Sequence, residues 1–335
     1  MTTRTRSALV RATDATHRVT TLELLFDLVF VFAFTQVTQL MGDDPTARGA
    51  LRGLVLLALL WWAWCSYAWL GNQAHADEGV VRATVVTAMG AMLVVALVIP
   101  ESFHDRRAGF MRRWCSLPGA PHQTALWALA LLVDYTGIWL AGTSGWRVPS
   151  PAHFAERYGL IFIVAVGESL VALGVGVNGQ PVSLAVLVAA ALGMVVAVSL
   201  WWLYFDVVAS VAEGVLSKAQ GEERSRLARD SYTYLHFPIV ISVIYIALGL
   251  KKVLEYVSDT AGHHLSEALT RAPLVALYAG VAVHLLGHVA FRRATSGPGT
   301  RIAASSRASC FSWCRWPGNS RRLSLWPWSR CCLPA

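Results

Sequence analysis

Long apolar runs separated by short polar stretches set the pattern of this chain. Eight of them approach or exceed the roughly 20 residues an α-helix needs to cross the hydrocarbon core of a bilayer. They cover residues 21–41, 51–70, 80–100, 124–141, 157–177, 182–205, 232–250 and 272–291. The runs are continuous and do not alternate, so the strands of a membrane barrel do not fit them. The expected fold is all-α, a polytopic membrane bundle of about eight transmembrane helices. Trp69, Trp201, Trp202 and Tyr204 sit at run edges, where aromatic side chains favour the headgroup region. Thr20 stands three residues before Glu23, the spacing of a capping box. Pro238 disfavours helix at Phe237. The seventh run therefore either kinks there, or starts there and continues past Lys251 and Lys252. Pro273 suits the first turn of the eighth.

Composition agrees with the runs. Only 14% of the 335 residues are charged and 55% are hydrophobic, with a mean hydropathy of +0.49. A soluble domain carries about 25% charged residues. A cytosolic enzyme, a nucleic-acid-binding module and a disordered tail protein are all excluded. The net charge of +8 does not mark an acidic partner. The last 44 residues hold eight Arg and no Asp or Glu, and without them 20 basic residues face 20 acidic ones. Four of the six Cys (Cys310, Cys314, Cys331 and Cys332) also lie in that tail. A disulfide framework does not suit so apolar a chain, and their spacing is not that of a zinc finger. The first apolar run is too long for a cleaved signal peptide and lacks a small-x-small site. Arg4, Arg6, Arg11 and Arg18 place the segment 1–20 in the cytoplasm, and eight spans return the C-terminus to the same side. On that topology Arg106, Arg107, Arg112 and Arg113 fall outside, where basic residues are disfavoured. The interval 101–123 is therefore anomalous.

Four stretches carry a resemblance: RVTTLELLFDLVFVFAFTQVTQL (18–40), WWAWCSYAW (61–69), ERYGLIFIVAVGESLVALG (156–174) and YTYLHFPIVISVIYIALGLKK (232–252). Together with the surrounding sequence over 18–100 and 124–291 they resemble the bacterial low temperature requirement A family. The resemblance implies a multi-pass membrane protein with a role in growth in the cold, a stress response, in the bacterial cytoplasmic membrane. It implies no settled biochemical activity. Two departures stand out. The family has further hydrophobic segments where this chain has 101–123, so about two spans are missing there. The family also continues as helices where residues 292–335 turn to Arg, Ser, Pro, Trp, Cys and Gly. That tail reads as an out-of-frame translation of a GC-rich gene. Three parts result: a segment 1–20, a transmembrane domain 21–291 and a basic tail 292–335.

Ionisable groups inside a span cost roughly 2.5–3.5 kcal/mol each at mid-bilayer on insertion scales and need a reason. Glu23 and Asp27 are four apart and share a helix face, with Thr38 further along it. They serve a proton or cation step, or else Glu23 caps the helix and Asp27 pairs with an Arg. Glu168 lies about a dozen residues inside its span, too deep for easy snorkelling. Ala172 and Gly176 continue its face and let another helix approach. Its alternative role is to fix helix packing. Val171 breaks the glycine pattern of a serine-nucleophile elbow around Ser169. Asp134 is a further buried candidate, with Arg157 as a partner. His236 precedes the Pro238 break, where freed carbonyls can bind a cation as in broken transporter helices. Asp206, His284 and His288 are weaker candidates. The two histidines share a face, but two ligands do not make a metal site.

The sequence shows no phosphate-binding, dinucleotide or redox motif and no nucleophile–base set. Neither an enzyme, a cofactor nor a metal site is expected. The expected partners are membrane lipid and a small ion or solute, with no nucleic acid; a homo-oligomer remains open. The leading expectation is a proton- or cation-handling transporter or channel, with Glu168, Asp27 and Glu23 in one cluster and His236 nearby. The alternative is a non-transporting sensor or structural factor for growth in the cold.

Overall fold

The computed structural model describes residues 13, 17–99, 120–177, 181–259 and 269–295, and the regular structure among them is helical. Among the described residues, eight helices are long and apolar enough to cross a membrane. They are α1 (Thr21–Asp43), α2 (Ala47–Gln73), α3 (Gly79–Val98), α4 (Ala120–Ala141), α5 (Pro151–Val177), α6 (Leu184–Lys218), α7 (Gly221–Ser258) and α8 (Arg271–Thr295). Each coincides with one expected run. The missing spans placed near 101–123 fall largely on residues outside those described, and so does the tail from 296 onward.

The helix ends follow the sequence. At α1, the Thr20 hydroxyl accepts from the Glu23 N–H while Glu23 Oε2 accepts from the Thr20 N–H at 2.8 Å, which is the reciprocal cap that the spacing predicts. Thr46 and Ser183 cap α2 and α6 in the simpler one-way manner. The outer surface is apolar. Leu132, Val133, Leu140, Leu184, Leu192 and Leu286 are all more than 60% exposed, an exterior that suits lipid rather than water.

The centre of the bundle is α7, with 72% of its most apolar window buried, against 6% for α4 at the rim. α7 packs most extensively against α5 and α8. The directions alternate as sequential membrane crossings require. Glu23 and Thr35 of α1 meet His153 and Glu168 of α5 in the same order. Tyr232 and Ser258 of α7 meet Phe154 and Gly176 of α5 in that order too. The odd-numbered α1, α5 and α7 therefore run parallel. α2 and α8 run against them: Asp27 meets Trp64 while Met41 packs at Gly53, and Gly287 and Gly280 pack at Ile239 and Ile246. Close approach is made possible by small residues. A Cβ at Gly280 would lie 3.1 Å from the Ser242 carbonyl oxygen, and one at Gly176 would lie 2.7 Å from the Lys251 carbonyl oxygen. In lipid such van der Waals contact replaces the hydrophobic drive that water would supply.

α7 resolves the Pro238 ambiguity in a third way. The helix starts before Pro238, at Gly221, and widens into π-helical turns over Ala228–Leu235 before continuing through to Ser258. In that wider register the Thr233 carbonyl looks to the N–H five residues on, and Pro238 has none to give. Trp61 Nε1 of α2 donates to it instead, at 2.9 Å. The Thr233 hydroxyl completes the junction, taking a hydrogen bond from Trp69 Nε1 at 3.1 Å and pairing with the Tyr158 hydroxyl at 3.0 Å. The freed carbonyl is thus spent on helix packing. A cation at this carbonyl would have to displace the Trp61 hydrogen bond.

Candidate ion-handling site

α1 and α5 face each other with matching periodicity. Glu23 and Asp27 are four residues apart on α1, and His153 and Arg157 are four apart on α5. The two helices are parallel, so the two acids meet the two bases in register. His153 Nε2 lies 3.0 Å from Glu23 Oε1. Arg157 grips Asp27 at both ends, with Nη2 to Oδ1 at 3.0 Å and Nη1 to Oδ2 at 3.1 Å. Nη1 also donates to the Glu23 carbonyl oxygen at 2.9 Å. All four side chains are buried. Trp64 Nε1 of α2 donates to Asp27 Oδ1 at 2.8 Å, and the guanidinium carbon lies 5.6 Å from the Trp64 ring centre. Such a paired, hydrogen-bonded cluster is what allows several charges to stay buried.

The surrounding residues leave Glu23 little freedom. A Cβ at Gly71 would meet Glu23 Oε1, so a larger residue there would displace the carboxylate from its partners. Asn72 Nδ2 donates to the Ser150 carbonyl and lies 3.3 Å from His153 Nδ1. Ahead of α1, the Ser150 hydroxyl donates to the His17 carbonyl at 3.2 Å. This seats the His17 ring 4.5 Å from both the His153 and the His75 ring centres. Burial, with the two neighbouring rings, pulls His17 below the ordinary histidine value of 6.5. Among the described residues, His17, Glu23 and His153 bring three donor atoms within 4.8 Å of one another.

Glu168 belongs to a second site on the same seam. It lies eleven residues beyond Arg157, about 16 Å of helix rise. Its side chain is 1% exposed, and Oε2 accepts from the Thr35 hydroxyl of α1 at 2.5 Å. Thr38 and the Lys251 ammonium of α7 also act on it. Among the described residues no Lys or Arg lies within ion-pair distance of it. Gly176, two turns on, lets α7 approach as its sequence predicts.

The single cluster expected from the sequence thus separates. Glu23 and Asp27 stand together with Arg157 and His153, while Glu168 stands apart. His236 is fully buried at the level of Tyr158, stacked on Trp61 at 5.9 Å, and among the described residues neither ring nitrogen has a partner. It adjoins neither acid site. Asp134 is exposed on the outer side of α4, and its expected partner Arg157 is committed to Asp27. α4 turns Tyr135 inward instead, whose hydroxyl donates to the Ala58 carbonyl. Asp206 is exposed in the π-helical turns of α6. His284 and His288 share a face as predicted. Their Nε2 atoms are 3.0 Å apart, and His284 Nδ1 is 3.0 Å from the Ser242 hydroxyl.

His153 and His17 are site residues the sequence reading missed, and Arg157 was matched there to Asp134 rather than to Asp27. His153 and Arg157 repeat the four-residue spacing of Glu23 and Asp27 with complementary charge, and that signal was available. Nothing in the sequence marks His17, which sits in a polar, Thr- and Arg-rich stretch.

Eight apolar helices with an apolar exterior and buried acid–base pairs define a multi-span α-helical membrane protein. The profile described as Bacterial low temperature requirement A protein (LtrA) matches residues 18–115 and 113–314. The chain belongs to this family. A protein of Rhizobium meliloti (strain 1021), named Uncharacterized protein RA0937, is 27% identical over 288 residues, covering 68% of this chain and 67% of that one. No solved structure matches the chain. The family match takes in Glu23, Asp27, His153, Arg157 and Glu168. It also continues past residue 291, where the resemblance read from the sequence stopped.

Proposed function

We propose that this chain handles protons or monovalent cations, as a transporter or channel in the bacterial plasma membrane, and that Glu168 is its exchanging carboxyl. The observation that carries this reading is the setting of Glu168. A carboxyl 1% exposed within a span is hydrogen-bonded by a threonine hydroxyl rather than by an ion-pair partner. Such a group can release a proton, or take up a small cation, without breaking a salt bridge. The Thr35 and Thr38 hydroxyls and the more distant Lys251 charge can support the carboxylate between the two states.

The Glu23–Asp27–Arg157–His153 cluster has a different part in this reading. Its acids are already matched, so it serves as a fixed charged closure at the end of the seam where α1 begins. The basic residues ahead of α1 support a cytoplasmic position for that end.

Carbodiimides react with protonated carboxyls in apolar surroundings, and this tests the reading. Dicyclohexylcarbodiimide is expected to modify Glu168 in the membrane-embedded protein and to stop proton or cation flux in the same samples. Failure to label Glu168 in a folded, active protein would overturn its assigned role. An unlabelled, folded and inactive protein would leave the buried acids with helix packing alone.

A further inference from the structure

We propose that His17, Glu23 and His153 form a binding site for a first-row divalent metal ion of the zinc type, at the end of the bundle where α1 begins. Two imidazoles and one carboxylate are a donor set that Zn²⁺ accepts, with a fourth position left for water. The three donor atoms come from three separate places in the chain: the stretch ahead of α1, the first turn of α1 and the first turn of α5. All three side chains are buried, and their donor atoms lie within 4.8 Å of one another. Bonds of about 2.1 Å in a tetrahedron put donors about 3.4 Å apart. The two donors on Glu23 and His153 are already at 3.0 Å, so only the His17 ring has to close in.

An independent observation points to a ligand. His17 is 8% exposed, and among the described residues its buried Nε2 atom has no hydrogen-bond partner. A buried imidazole nitrogen left unpaired is costly, and a metal ion beside Glu23 and His153 would satisfy it. The charge balance also suits a cation. Once His153 serves a metal as a neutral imidazole, the Glu23 carboxylate has lost its partner base while Arg157 stays on Asp27, and the metal charge takes that place.

The surrounding residues match what an ion would need. The absent Cβ at Gly71 leaves Glu23 Oε1 its place. A metal on His153 Nε2 requires the ring proton on Nδ1. Asn72 stands against that atom, and its Oδ1 is buried without a partner. Turning the amide would let Oδ1 accept that proton, in exchange for the Nδ2 bond to the Ser150 carbonyl. The metal-free arrangement is the direct His153–Glu23 pair.

The test uses the full chain in detergent, stripped with a chelator and then titrated with Zn²⁺ alone. Bound metal is read by mass spectrometry, and Co²⁺ substitution reads the geometry by visible absorption. The expected result is one tightly held ion per chain, with affinity at least tenfold weaker in His17→Gln and unchanged in Glu78→Gln. His17 precedes α1, so its replacement leaves every span intact. Among the described residues His75, Asp77 and Glu78 form a second, more exposed three-donor group, and Glu78→Gln is its control. Absence of a stoichiometric ion in the wild type overturns the proposal. So does an ion that survives His17→Gln, or one lost only in Glu78→Gln. Metal content is read without transport, so this result stands apart from the flux reading.

Discussion

Arg157 and Asp27 join two helices through a bidentate ion pair, 3.0 and 3.1 Å long, from which solvent is excluded. Removing one partner of such a pair strands the other charge, at about 3–5 kcal/mol, whereas removing both costs far less. Arg157→Gln is therefore expected to lose most of the folded protein. Arg157→Gln with Asp27→Asn is expected to recover more than half of the loss. Unfolding in detergent micelles checks this through a double-mutant cycle. Strictly additive losses would contradict it.

The seam between α7 and α8 depends on close backbone approach. Gly280→Ala puts a methyl 2.8 Å from Ile246 Cγ1 and 3.1 Å from the Ser242 carbonyl, and backbone cannot give way as a side-chain end can. A loss of about 1–3 kcal/mol is expected. Gly137→Ala on α4 is the control, since nothing lies within 4 Å of its Cβ. There the helix propensity gain of up to about 1 kcal/mol should leave stability equal or higher. The same thermal unfolding series reads both. Equal effects at the two positions would deny that tight packing holds this seam.

His236 has two buried ring nitrogens with no partner. His236→Phe removes both unmet groups and keeps a ring against Trp61. It is expected to hold or raise stability, by up to about 1–3 kcal/mol, and to leave flux unchanged. A drop in both would show that His236 has a working partner within the bundle.

Much of this was legible in the sequence, for identifiable reasons. The eight spans show because lipid demands unbroken apolar runs, and a run does not depend on its neighbours. The Thr20–Glu23 cap shows because both partners lie within one turn. Azimuth around a helix is harder to read. Asp134 has the depth of a buried acid, yet it faces outward because Tyr135, the next residue, takes the inward position. Pairing between helices is harder still. Arg157 reads as a partner for Asp134 until α1 places Asp27 against it. His17 acquires a meaning only through His153 and Glu23, which lie elsewhere in the chain. The π-helical turns of α7 were hidden for a similar reason, since Pro238 warns of a break while the remedy comes from Trp61 on another helix.

The central claim is that Glu168 exchanges a proton or cation within the membrane. The most direct test is proton and monovalent-cation flux into proteoliposomes, comparing wild type with Glu168→Gln at equal amounts of folded protein. Gln keeps an acceptor for the Thr35 hydroxyl, so the variant is expected to fold as the wild type does. The account predicts flux in the wild type and at least a tenfold loss in Glu168→Gln. Undiminished flux in the variant, or none from well-folded wild type, would contradict it.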